Sequence, residues 1–240
     1  AVFRSDENTV WLEDLGDVTL KAVLADAAGR VDWYRRALAT LRDFRGATER
    51  GAGGCFERHF EPEQMRWELD HYVEWRVEAQ LGVTPSASWT SAVGAEFDRL
   101  VSTLQALPQR VSHRDYQSTN LMVVGERLVV IDFQDAWMAP YIYDEVALLR
   151  DSYVPLSQAD LAGLLPDDPA FLEAFALQTI QRKLKDAGRF VFFEHHGKSG
   201  YLPYVEPTLA MVRDAFAVLP AWRELWERLA EHDPELRCTP

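Results

Sequence analysis

The sequence predicts a mostly helical α+β fold in which a small β-hairpin carries a loop of polar, chemistry-bearing residues. Helical periodicity dominates up to Leu107 and again after Pro140. Between them the pattern switches to short β-prone runs, Val111-Ser112-His113, Leu121–Val124 and Leu128–Ile131, with Gly125-Glu126 suited to a two-residue turn. Polar residues then fall only at the strand ends: Asp115 and Asn120 before the hairpin, Asp132 after it. Functional groups held at the rim of a rigid apolar unit have this distribution.

In chain order, Thr9–Glu13 reads as an edge strand running into turn chemistry at Asp14-Leu15-Gly16-Asp17. A helix is expected from Asp17, capped by it and stopped at Gly29, with Leu20, Val23, Leu24 and Ala27 on one face. A second should run from Asp32 to Thr48 on Leu38, Leu41 and Phe44. Gly51–Gly54 lacks the preceding strand and following Lys-Ser or Lys-Thr of a phosphate loop, so it reads as a connection. Pro62 suits the first position of a third helix reaching Leu81-Gly82, with Glu68, Glu74 and Glu78 on its solvated side. A fourth is expected over Ser91–Leu107.

Beyond the hairpin, helices are expected over Tyr143–Tyr153, from Ser157 to Leu165, and from Pro169 onward with an interruption at Gly188. The last two span about 203–218 and 220–232, placing Trp222, Leu225, Trp226 and Leu229 in the core.

With 240 residues and 48% hydrophobic content the chain can bury one sizeable core or two small ones. No apolar run approaches a membrane span, and a net charge of −13 argues against nucleic acid or an anionic membrane as partner. Cys55 and Cys238 form no metal-type spacing, so a reducing, cytoplasmic location is expected. A first residue of Ala1 rather than Met suggests a processed, engineered or truncated end.

The chemistry concentrates in His113-Arg114-Asp115-Tyr116-Gln117-Ser118-Thr119-Asn120, followed by Asp132-Phe133-Gln134. In the phosphoryl-transfer template such an Asp accepts the proton of the attacking hydroxyl, and the Asn and later Asp hold Mg²⁺. That assigns Asp115 as catalytic base and Asn120 and Asp132 as metal ligands. Mg²⁺ prefers hard oxygen donors, a few from protein and the rest from phosphate and water. His113 is expected to be structural, its ring bonded to backbone. Only four residues separate Gln134 from Ala139-Pro140, which leaves no room for a protein kinase's activation segment. Gln134 also replaces the Gly of a flipping Asp-Phe-Gly switch. Helices on both sides would wall a small-molecule pocket.

His-Arg-Asp-Tyr-x-x-x-Asn-Leu-Met at 113–122, Ile-Asp-Phe-Gln-Asp-Ala at 131–136 and Pro-x-x-Tyr-Asp-x-x-x-Leu-Leu-Arg-Asp at 140–151 together resemble the aminoglycoside phosphotransferase-like kinases. Among these the chain looks most like the anomeric N-acetylmuramate/N-acetylglucosamine kinases of cell-wall recycling. Leu12–Asp17 resembles the family's hinge. Glu68-Leu69, Glu74-Trp75 and Leu81-Gly82 resemble its helical insert, and Gln181–Lys185 and Gly200–Pro203 its C-terminal helices. The likeness runs from about residue 10 to about 218. It implies a protein-kinase-like C-terminal lobe, with ATP and Mg²⁺ as cofactors and transfer to the anomeric hydroxyl of an amino sugar. It also implies adenine contacts from backbone around Glu13, Asp14 and Leu15, and Asp144 as an acid that fixes the loop.

A muramic-acid carboxylate would want a cation, for which Arg114, Arg182 and Lys185 are candidates, while Glu68 or Asp135 could receive sugar hydroxyls. An aminoglycoside pocket should be strongly acidic, so the basic residues near 182–185 favour an anionic or neutral sugar. An aminoglycoside or other small alcohol as acceptor, and a catalytically incomplete binding or scaffold domain, remain the alternatives. The family carries an N-terminal lobe before the hinge, with a loop over the phosphates and a pairing Lys. Here the first lysine, Lys21, follows the hinge. Residues 1–17 are therefore expected to be a hinge remnant and 18–240 the catalytic lobe. The chain alone should bind ATP weakly without turnover, and its full-length parent should turn over.

Overall fold

The computed structural model describes residues 2–5, 8–25, 29–49 and 54–237. Residues 51–53 of the expected connection and Cys238 lie outside them. The fold is mostly helical, with three two-stranded antiparallel ribbons among the described residues. Strand β1 (Val2–Ser5) pairs with β2 (Val10–Leu12). The helix after them, α1 (Leu20–Leu24), begins three residues later than expected and is capped by Thr19, not Asp17. The reason is tertiary: the Val18 carbonyl accepts from Val123 N at 2.8 Å, and Thr19 bridges to Met122. Residues 18–19 are thus extended against the hairpin.

Helices α2 (Arg30–Glu49), α3 (Pro62–Tyr72) and α4 (Ala87–Gln105) follow. Pro62 sits in the first turn of α3, and the helix continues as a π-helical stretch, Val73–Gln80. Such widened turns are rare, and many mark functional sites. Helix α4 starts four residues earlier than expected, because the Ser86 hydroxyl accepts from Trp89 N at 3.2 Å. Strand β3 (Gln109–Ser112) then leads into the polar loop, and β4 (Leu121–Val124) and β5 (Arg127–Val130) form the hairpin in the expected register, with Gly125 at φ 61° in its turn. An unexpected strand, β6 (Trp137–Pro140), pairs with β3 and fills the short gap that follows Gln134.

Helix α5 (Tyr143–Leu149) ends four residues before Tyr153, the expected end. Asp151 turns inward there, accepting from Ser118 N at 3.0 Å and Tyr153 N at 2.8 Å, and this local capture stops the helix. Helix α6 (Gln158–Ala162) is capped by Ser157 and stops three residues short of Leu165. Helix α7 (Pro169–His195), α8 (Val205–Ala217) and α9 (Arg223–His232) complete the chain.

Helix α7 is the spine. Its Ala174 and Phe175 belong to one core with α1, α2, α5 and the hairpin, while Ala176 through Val191 belong to the other with α3, α4, α8 and α9. The expected interruption at Gly188 does not occur. That glycine is instead where α7 crosses α3 most closely: a Cβ there would lie 2.7 Å from His71 O and 2.8 Å from Tyr72 Cα. Both are backbone atoms that cannot swing aside. Gly188→Ala should therefore destabilise by about 1–3 kcal/mol despite alanine's better helix propensity. Gly163→Ala, where the nearest atom is 3.5 Å away, should not. Thermal denaturation of the two variants checks this. Among the described residues no helix is long and apolar enough to cross a membrane.

Candidate active site

The site is built on the exit of β3. Asp144, at the start of α5 and fully buried, accepts from Ser112 Oγ at 2.7 Å, His113 N at 2.8 Å and Arg114 N at 3.1 Å. It is not a helix cap; Ile142 holds that position. Where the ladder stops after Ser112, the carboxylate takes over the backbone N–H groups of His113 and Arg114. Arg45 of α2 stands 3.6 Å from it and pairs bidentately with Glu145 at 2.7 and 3.0 Å. Arg114 takes a left-handed backbone, φ 71°, which is uncommon for a non-glycine residue and recurs where structure over-determines a functional turn. Asp115 comes next, its side chain half exposed between the half-buried Arg114 and the buried Tyr116. Burial works against its ionisation, but Lys185 and Arg182 outweigh that, with Arg114 assisting and Asp186 opposing. The carboxyl is held below its usual range.

The loop returns through a single 3₁₀ turn, Ser118–Asn120. Asn120 Nδ2 donates to Asp115 O at 2.9 Å, and Asn120 O receives Ile131 N at 3.1 Å. Those two bonds tie Asp115, Asn120 and the end of β5 together. Asp132 then turns outward on a second left-handed residue, φ 64°, and its Oδ1 accepts from Gln134 Nε2 at 2.8 Å. The Gln that replaces a kinase-type Gly therefore steadies Asp132. The ring of His113 is buried, with Nε2 2.8 Å from Ile131 O.

The donor set fits Mg²⁺. Among the described residues, Asn120 Oδ1 and the second Asp132 oxygen accept no hydrogen bond from protein, and both are hard oxygens. Among the described residues no cluster of three or more His, Cys, Asp or Glu could hold a metal.

Glu13, Asp14 and Leu15 follow β2 and pass the hairpin at its turn end. Glu13 accepts from Arg127 of β5 at 3.4 Å, and Asp14 Oδ1 accepts from Gly16 N at 2.9 Å, which sets the turn. Four residues of strand, roughly 13 Å, separate that end from Asn120 and Asp132.

The expected acceptor contacts divide. Asp135 is exposed, three residues on from Asp132 in the chain. Lys185 is partly exposed, bound to Asp186 at 3.3 Å, and its charge acts on Asp115 more strongly than any other. Glu68 is not on a solvated face: it is buried against α7, where Gln181 Nε2 donates to it at 2.8 Å. Arg114's guanidinium is stacked 4.1 Å from the Trp137 ring centre and 5.1 Å from that of Phe60. Arg182 reaches no open space. It is fully buried, donating to Arg114 O at 2.8 Å and lying 3.4 Å from Asp115 Oδ1. Helix α7 is covered on both sides, so a basic residue in its middle turns inward.

Sequence reasoning missed the rest of this cluster. Lys183 is buried and donates to Asp186 at 2.6 Å and Ser152 at 3.2 Å, with Tyr143 packed under Arg182. Burial raises the Asp186 carboxyl's pKa, but Lys183, Lys185 and Arg182 together hold it well below its usual range. The signal was present: three basic residues and one acid, Arg182, Lys183, Lys185 and Asp186, fall within five positions of one helix.

A family model described as the phosphotransferase enzyme family (APH) matches residues 9–175. The chain is 33% identical over 187 residues to the N-acetylmuramate/N-acetylglucosamine kinase of Pseudomonas putida, covering 70% of this chain and 54% of that protein. To the enzyme of the same name from Neisseria meningitidis it is 30% identical over 221 residues, covering 85% and 62%. For Pseudomonas aeruginosa the figures are 32% over 236 residues, 91% and 68%. The chain thus spans between about half and two thirds of these relatives' length. A choline/ethanolamine kinase family protein from Mesorhizobium loti has a similar fold, with a TM-score of 0.60 at 17% identity over 96% of this chain and 77% of that one. The family model covers well over half the sequence, and the chain belongs to the phosphotransferase enzyme family (APH).

Proposed function

We propose that the site transfers the γ-phosphoryl group of ATP to a small sugar, with the anomeric hydroxyl of N-acetylmuramate or N-acetylglucosamine as acceptor and the 1-phosphate as product. The observation that carries the reading is the convergence of Asp115, Asn120 and Asp132 within one short stretch, fixed by Asp144 and two left-handed residues. The names of the relatives support the amino-sugar acceptor.

Asp115 receives the acceptor hydroxyl in the crevice and orients its oxygen in line with the γ-phosphorus. As that O–P bond forms, the bond from the γ-phosphorus to the β-bridging oxygen breaks, its electrons leave with ADP, and the hydroxyl proton passes to Asp115. A carboxylate held below its usual pKa is a weak base. That suits a loose transition state, in which orientation matters more than early proton removal. Mg²⁺ held by Asn120 and Asp132 would neutralise charge on the phosphates. Glu13–Leu15 serve the adenine at the other end of the hairpin, and Asp135 and Lys185 are placed to meet the acceptor.

The full-length protein, offered ATP and a panel of sugars, is expected to phosphorylate an amino sugar at C1, seen as a phosphorus signal coupled to the anomeric proton. Absence of any amino-sugar 1-phosphate would remove the acceptor assignment. Transfer to an aminoglycoside or a simple alcohol in its place would keep the chemistry and change the substrate.

A further inference from the structure

We infer that Arg182 is a positioning residue for the transfer step: its buried guanidinium clamps the Arg114 carbonyl and the Asp115 carboxylate, so that the left-handed turn delivers Asp115 to the crevice. The inference rests on the proposed phosphotransfer reading and deepens it.

Arg114 is gripped at both ends of its residue. Its N–H donates to Ser112 Oγ at 3.2 Å and Asp144 Oδ1 at 3.1 Å, and its carbonyl accepts from Arg182 at 2.8 Å. Those bonds hold a backbone conformation, φ 71°, that side-chain-bearing residues rarely adopt. The other guanidinium nitrogen lies 3.4 Å from Asp115 Oδ1. One planar group therefore fixes both the peptide before the carboxylate and the carboxylate itself. A lysine, with a single point of charge, could not hold both in that geometry.

Two other roles for a buried arginine fit less well. A substrate contact needs an open face, and Arg182 is fully covered. A packing or stability role is served by satisfying the charge, yet Nε has no acceptor, and the Asp186 carboxylate is already shared by Lys183 at 2.6 Å and Lys185 at 3.3 Å. Arg182 also feels the Asp186 charge, but its hydrogen-bonding nitrogens go to Arg114 O and Asp115 Oδ1. The charged groups around Asp115 are Lys185, Arg182 and Asp186 from α7 and Arg114 from its own loop. Only Arg182 among them also holds the backbone. Because it sits mid-way along the 27-residue α7, the clamp inherits the rigidity of the fold's longest helix.

The test pairs kinetics with a structural readout. In the full-length protein, Arg182→Met should lower kcat about 10²-fold, the scale of a small misplacement of a catalytic group, with KM for ATP and acceptor within about threefold. Arg182→Lys should recover roughly tenfold of that loss through its remaining charge. In the 240-residue chain, amide hydrogen exchange at Arg114–Tyr116 should accelerate in Arg182→Met while exchange in α8 stays slow. A raised acceptor KM at unchanged kcat would make Arg182 a substrate contact and overturn the inference. Faster exchange with undiminished kcat would overturn it too, as would no change in either. If Arg182→Met does not fold, the kcat and exchange of Arg182→Lys decide. If the wild type transfers to no acceptor, the phosphotransfer reading fails, and exchange alone then judges the clamp.

Discussion

Asp115→Asn is expected to lower kcat by about a thousandfold while leaving the fold almost untouched. Replacing the carboxylate by an amide of the same shape removes the proton acceptor and the negative end that orients a hydroxyl, a role worth about 10²–10⁴-fold. It does not remove the group that Arg182 approaches, because the amide oxygen can still accept there. The side chain is half exposed and makes one long ion pair, so stability should change by less than about 1 kcal/mol. KM for ATP should hold, since Asn120 and Asp132 are untouched; the Asn120 side chain bonds to the backbone carbonyl of Asp115, not to its carboxylate. Steady-state kinetics and a thermal melt on one preparation check both halves. A variant that keeps more than a tenth of wild-type kcat would show that Asp115 is not the group that meets the hydroxyl.

The core of this site could be read from sequence because it is local. Asp115, Asn120 and Asp132 lie within eighteen positions, and the apolar runs between them dictate a hairpin whatever the rest of the chain does. What could not be read depends on partners distant in sequence. Arg182 and Asp115 are 67 residues apart, and nothing in the helical pattern of α7 says which basic residue faces inward. Glu68 shares that history: its position on α3 looks solvated until α7 covers it. Gly188 looks like a break because glycine disfavours helices, yet it is retained where two backbones meet. Strand β6 escaped because Trp137–Pro140 is short, ends in proline, and gains its partner only when β3 returns beside it. The Asp17 cap failed for the same reason, since the hairpin holds residues 18–19 extended before a helix can start.

Asp144→Ala is expected to be the most damaging single change around the site, and its signature should be the opposite of Asp115→Asn. The carboxylate is fully buried and answers three donors, Ser112 Oγ, His113 N and Arg114 N, with the Arg45 guanidinium beside it. Removing one member of such a buried charged network leaves the others without acceptors, which costs about 3–5 kcal/mol. For a chain of this length that corresponds to a fall in Tm of roughly 6–20 °C. Asp144→Asn keeps one acceptor oxygen but loses the charge, and should fall about half as far. Activity should drop in both, because the loop loses the Asp144 bonds to the His113 and Arg114 amides, leaving Ser112 Oγ alone on the Arg114 amide, and Asp115 shifts with it. Differential scanning calorimetry and kinetics on the three variants separate the two carboxylates. Asp115 should cost rate without stability, whereas Asp144 should cost both together. If Asp144→Ala melted within a few degrees of wild type, the loop would have to be held by the Arg182 side alone, and the left-handed turn would need no support from α5.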